Sequence, residues 1–149
     1  MSYPKLKIDY LLYPNLAENI WHAQQAGHPR ILTYGANKTL NRKGAMHFEL
    51  DFLRYEIPHL MSRDEYPFAC CVEGGGSAWV GHIPPRENSA QGGLIRGFLM
   101  REGILPGNDD KSKFEVVVVN RKDLKYTVLL LGLSIYTIHL SGRSFLSLV

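Results

Sequence analysis

Apolar and polar positions along this chain switch between helical and strand spacing. Leu16, Ala17, Ile20 and Ala23 recur at helical intervals behind Pro14-Asn15. That spacing predicts a helix opened by Asn15 as N-cap, with Glu18 as its capping-box partner and Gly27 as the stop. Trp21 and His22 fall at the edge of its apolar face. Pro29 leads into a short strand, residues 31–34, closed by Gly35. Between residues 37 and 55, Ala45, Phe48, Phe52 and Tyr55 lie near helical spacing. Gly44 and the polar Asn41-Arg42-Lys43 interrupt the start, so helix plus loop is expected.

The middle of the chain reads as strand, turn, strand, helix. Residues 66–72 are aromatic, β-branched and small apolar, as in a strand. Gly74-Gly75-Gly76-Ser77 supplies the turn, and residues 78–83 the return strand, which Pro84-Pro85 ends. Asn88 is then placed as an N-cap with Gln91 as its capping partner, ahead of an apolar helical face of Leu94, Ile95, Phe98 and Leu99. Gly92, Gly93 and Gly97 each cost that helix about 1 kcal/mol relative to Ala. Three of them imply close backbone approach, either to the hairpin or to a ligand. Pro106-Gly107-Asn108-Asp109 is a turn, and the apolar run 114–119 is a buried strand.

The tail, residues 126–140, is almost wholly apolar. A membrane span needs roughly 20 such residues, and His139 and Arg143 interrupt this one. It is read as a buried element or an interface of the same domain, with a membrane role the lesser alternative. There are no internal repeats and no low-complexity segment.

With 149 residues and 45% hydrophobic content, the chain is long enough for one domain with a real core. A net charge of +3 permits a polyanionic partner without requiring one, and no Lys/Arg run forms a basic tail. The two cysteines, Cys70 and Cys71, are adjacent and lack zinc-type spacing. They are expected to face opposite sides of a strand, without a disulfide. The first 13 residues show no signal-peptide pattern.

Chemistry concentrates where two acidic patches meet. Asp64-Glu65 precede the first hairpin strand, and Glu87-Asn88 begin the helix after the second, so the hairpin brings them together. Clustered oxygen donors of this kind suit a hard divalent cation, Mg²⁺ or Mn²⁺, which needs only one or two carboxylates beside its waters. Phosphodiester hydrolysis needs an activated water, a base, and positive charge on the phosphorane. The individual residues also have plain readings. Glu87 can complement the helix dipole, Asn88 can act only as a cap, and Asp64 and Glu65 can be solvated strand-entrance residues. His28 and His82 can be packed or hydrogen-bonded histidines.

The combined pattern resembles the NucA/NucB-type deoxyribonucleases, including the nuclease modules of polymorphic toxins. The matching residues are Tyr13-Pro14, Ile20, Ala26-Gly27-His28-Pro29 and Asn41-Arg42. Arg63-Asp64-Glu65-Tyr66-Pro67, Glu73-Gly74-Gly75 and Glu87-Asn88 with Gly92 follow. The resemblance implies an α+β fold with a small ββα-metal (His-Me finger-like) core, its antiparallel or mixed sheet flanked by helices. Residues 1–120 would form the nuclease domain, and 121–149 an apolar C-terminal extension packed on it. In such sites the first strand carries the base and the helix an asparagine ligand. Carried over, Asp64 is the base and Asn88 the helix ligand, with Glu65 and Glu87 completing or orienting the metal shell. Which carboxylate ligates and which takes the proton is left open, because neighbouring carboxylates titrate together. Arg63 is the phosphate contact, and Arg42, Gln91 and His82 complete the candidate substrate contacts.

The implied activity is metal-dependent, non-specific cleavage of DNA by a secreted or delivered effector. An immunity or inhibitor protein is a candidate partner, and no membrane role is expected. The alternatives are a non-catalytic nucleic-acid or protein-binding module on the same fold, and a membrane-active protein using its tail.

Overall fold

The computed structural model describes residues 2–47 and 61–121. Phe48, Phe52, Tyr55 and the apolar tail lie outside the described residues. Within them, helices and strands mix around two small sheets, an α+β arrangement.

The first sheet has three strands, Lys5–Asp9 (β1), Lys113–Val119 (β5) and Ile31–Thr33 (β2), in that spatial order. No strand is expected ahead of the first helix, yet β1 (Lys5–Asp9) is present. Its sequence K-L-K-I-D alternates with period two, burying Leu6 and Ile8 and exposing Lys5 and Lys7. β5 (Lys113–Val119) pairs with β1 in parallel and with β2 (Ile31–Thr33) antiparallel. Phe114 and Val116 of β5 point into the core, where Phe114 meets Phe98 with ring centroids 5.5 Å apart.

Between β1 and β2 runs α1 (Pro14–Gln25), which buries Leu16, Ala17, Ile20 and Ala23 as its spacing predicts. Its start differs from the capping-box expectation. Pro14 opens the helix after Tyr13, so Asn15 sits inside the first turn and caps nothing. α2 (Lys38–His47) realises the first part of the expected helix-plus-loop, and the Asn37 side chain accepts from the Leu40 N–H at 3.2 Å. The Glu73 carboxylate ties β2 to the glycine turn. It accepts from the Thr33 N–H at 2.9 Å and from the Thr33 hydroxyl at 2.8 Å.

The second sheet is the antiparallel pair β3 (Ser62–Tyr66) and β4 (Trp79–Ile83), followed directly by α3 (Pro85–Arg101). Strand, strand and helix thus follow in ββα order. The first strand lies earlier than residues 66–72, because Pro67 has no N–H to donate to the ladder. Asp64 and Glu65 therefore lie within the strand rather than at its entrance. The chain from Phe68 to Cys71 turns instead, with the Cys71 N–H donating to the Phe68 carbonyl at 2.9 Å. Cys70 and Cys71 accordingly do not face opposite sides: their Sγ atoms are 3.9 Å apart. Their contact lowers the Cys70 thiol pKa and raises that of Cys71.

Pro84 precedes α3 and Pro85 occupies its first turn, so the two prolines start the helix as well as ending the strand. Asn88 is consequently inside the first turns and is not the N-cap. A Cβ added at Gly92, Gly93 or Gly97 would meet nothing within 4 Å. Close approach of the hairpin is therefore not what these glycines serve.

Candidate active site

The pleat of β3 sorts its side chains. Asp64 and Tyr66 turn toward α1, while Arg63 and Glu65 take the other face, with His82 directly opposite Arg63. Tyr66 is fully buried, and its hydroxyl donates to the Pro29 carbonyl at 2.7 Å and accepts from the Gln24 amide at 3.0 Å. Burial pushes the Tyr66 hydroxyl up to about 12, so it remains protonated.

Asp64, only 1% exposed, is received by Asn19 of α1, whose Nδ2 donates to its Oδ2 at 2.8 Å. The Trp79 indole N–H in turn donates to Asn19 Oδ1 at 2.9 Å, which fixes the amide orientation. Gly81 is opposite Asp64, and a Cβ there would collide with the Asn19 amide, so this position needs glycine for close approach. Burial raises the Asp64 pKa from 3.8 to about 6. The Asn19 hydrogen bond and the nearby Gln91 amide hold it down in part, while the Glu65 charge adds to the rise. The Gln91 Nε2 is itself buried and outside hydrogen-bond geometry with any described group, so it acts on Asp64 as a nearby dipole.

Glu65 is 7% exposed and faces a cavity of about 680 Å³ between α2, β3 and α3. No side chain among the described residues donates a hydrogen bond to its carboxylate. Burial raises its pKa, and the Arg42 and Lys38 charges oppose that rise. Asn88, Gln91 and Arg42 line the same cavity. The Asn88 Nδ2 donates to Ser62 Oγ and to the Arg63 carbonyl, both at 2.9 Å, which locks α3 against β3. With both amide hydrogens engaged, Asn88 Oδ1 is the acceptor left to face an incoming group.

Glu87 is placed differently. Its Oε2 accepts from the Leu16 N–H at 2.8 Å and its Oε1 from the Asn15 amide at 2.7 Å. It thus clasps the N-terminus of α1, whose first N–H groups have no intrahelical partners. Neither Glu87, Arg63 nor His82 lines the cavity, and His82 Nε2 is buried without a partner among the described groups. The cavity therefore gathers Glu65, Asn88, Gln91 and Arg42; Asp64 lies off its wall on the α1 side and meets the group through Gln91, while Glu87, Arg63 and His82 stand outside it.

Among the described residues, no three His, Cys, Asp or Glu side chains cluster as a metal cage. A hard cation that keeps several waters does not require one. The Glu65 carboxylate and Asn88 Oδ1, both on the cavity and both short of donors, fit such an ion. Asn19 escapes the sequence reading altogether. Its one signal is an amide among the buried positions of α1, where only a polar partner across the interface makes sense.

Two comparisons with known proteins bear on this geometry. An 85-residue stretch is 33% identical to the DNA-entry nuclease of Bacillus subtilis (strain 168), covering 56% of this chain and 53% of that protein. The chain thus spans about half the length of this relative. Residues 21–117 match the model of the deoxyribonuclease NucA/NucB family, and that match contains β3, β4, part of α1 and all of α3. The chain therefore belongs to the NucA/NucB deoxyribonuclease family.

Proposed function

We propose that this protein is a metal-dependent endonuclease that hydrolyses DNA phosphodiesters with little sequence preference. The observation that carries the reading is the pairing of Glu65 and Asn88 on one cavity, with the buried Asp64 linked to that cavity through Gln91. Membership of a deoxyribonuclease family and likeness to a protein named a DNA-entry nuclease support DNA as the substrate.

A Mg²⁺- or Mn²⁺-type ion held by Glu65 and Asn88 Oδ1 would supply positive charge to the phosphoryl oxygen and the leaving oxygen. Asp64 serves as general base. Its pKa of about 6 leaves it mostly ionised at neutral pH yet basic enough to accept a proton from water. Asn19 holds Oδ2, so Oδ1 is the atom that takes the proton. Gln91, which reaches both the cavity wall and the Asp64 surroundings, positions the attacking water between them. Arg42 and Lys38 receive the phosphate charge, and Arg63 contacts the strand beyond the cavity. Glu87 holds α1, and with it Asn19, in place. Contacts to phosphates rather than base edges account for weak sequence preference.

Isothermal titration of Mn²⁺ tests the ligand assignment. Wild type should bind one ion, and Glu65→Gln should lose that isotherm while keeping its thermal transition. Equal Mn²⁺ affinity in the two proteins would remove Glu65 from the metal site. Delivery as a secreted or effector nuclease, held in check by an immunity protein, belongs to the same reading. Co-purification from the native host should recover such a partner, and a consistently solitary protein would count against it.

A further inference from the structure

The cavity that carries Glu65 and Asn88 extends well beyond them, and its far half has no role in the chemistry above. There the wall is apolar, formed by Tyr34, Ile95, Leu99, Met100 and Leu105. Met100 and Leu105 are 72% and 74% exposed, so this wall offers apolar surface open to solvent. The rim is cationic, with Lys38 and Arg42 from α2 and Arg96 from α3. One further wall residue is Gly92, where an added Cβ would stand in open space. Gly92 therefore weakens α3 without any intramolecular contact that requires it.

A ligand that satisfies these features together has an anionic backbone for the rim and a flat apolar body for the wall. It must also run past the Glu65 and Asn88 end. An unpaired nucleotide has all three properties. Its phosphate meets the Lys38, Arg42 and Arg96 charges, and its base lies against Tyr34 and the aliphatic side chains. Its sugar passes over the bare backbone at Gly92. A cavity of about 680 Å³ falls within the range of small-molecule sites, so a nucleotide is of a fitting size.

We propose that this cavity is a nucleobase pocket that takes one unstacked base of the DNA strand flanking the scissile phosphate. This rests on the nuclease reading and deepens it. The enzyme grips single-stranded or locally opened DNA through a base whose identity it does not read, since apolar and stacking contacts accept any base. On duplex DNA the same grip requires a base to leave the stack, which is unfavourable while its pairing and stacking are intact. Unpaired or frayed segments are therefore cut faster than intact duplex.

The test compares a short oligothymidylate with an abasic oligonucleotide of the same length, by fluorescence anisotropy in EDTA. Wild type should bind the thymidylate about tenfold more tightly, the scale of one stacked base. Gly92→Leu fills the pocket and should abolish this preference while raising the melting temperature, because Leu is the better helix former. Gly93→Leu, on a residue off the cavity wall, should raise the melting temperature and keep the preference. Equal affinity of wild type for the two oligonucleotides would overturn the pocket, as would loss of the preference in both variants. Plasmid nicking by wild type in Mn²⁺ separates the two levels of the argument. Nicking without base preference sinks the pocket alone, whereas a wild type that neither binds nor cuts DNA sinks the nuclease reading as well.

Discussion

Asp64→Asn should make the protein more stable above pH 6 while removing the proposed base. Asp64 has a folded pKa of about 6 against an ordinary 3.8, so the folded state holds its proton more tightly than the unfolded chain. A raised carboxyl pKa means that the native state binds more protons between about pH 4 and 6, and stability falls as pH rises through that window. The shift is about two units, and each unit is worth about 1.36 kcal/mol, so the ionised carboxylate costs the fold about 3 kcal/mol at pH 7. The amide of the variant does not titrate, so the variant escapes this cost. The stability difference between variant and wild type should therefore be constant below about pH 4. It should grow in favour of the variant by about 3 kcal/mol on approaching pH 7, then level off. For a chain of this length that amounts to about 6–12 °C in Tm. The assay is urea unfolding of both proteins in EDTA at unit steps from about pH 4 to 8, read as the difference. A difference that is flat across that range, or that shrinks as pH rises, would refute the burial argument for Asp64.

Three further substitutions test individual contacts. Gly81→Ala should drive a methyl into the Asn19 amide and break the Trp79–Asn19–Asp64 chain. It should cost about 1–3 kcal/mol in chemical denaturation; an unchanged midpoint would mean that α1 yields freely. Glu87→Ala should lower stability by about 1–2 kcal/mol, through loss of the clasp on Leu16 and Asn15, with Mn²⁺ affinity retained. A lost isotherm with an unaltered Tm would instead move Glu87 to the metal. Tyr66→Phe leaves the Pro29 carbonyl without its donor and should cost about 1–3 kcal/mol. A neutral effect in thermal denaturation would show that water replaces the hydroxyl.

The ββα order and the two apolar helical faces are legible in the sequence, because their spacing directly reflects burial. The exact placement of β3 is less so. The aromatic and small residues after Pro67 look like a strand by composition, but the proline's missing N–H ends the ladder at Tyr66 and shifts the acidic pair into it. β1 carries a clear period-two pattern in Lys5–Asp9, yet only its pairing with a strand from the far end of the domain gives those five residues meaning. The acidic residues are readable as candidates, but where each side chain goes is not. Asp64 and Glu65 are sequence neighbours that a pleat sends to opposite faces. Glu87, next to Asn88 in sequence, reaches across to α1 instead. These choices depend on long-range contacts, which no local spacing encodes.

Digestion of supercoiled plasmid, with Mg²⁺ or Mn²⁺ and with EDTA, by wild type, Asp64→Asn and Glu65→Gln tests the central claim most directly. Wild type should nick and then linearise the plasmid only with metal present, and both variants should leave it supercoiled although folded by circular dichroism. Cleavage that persists in EDTA, variants that cut like wild type, or a wild type inert with every divalent metal would contradict the account.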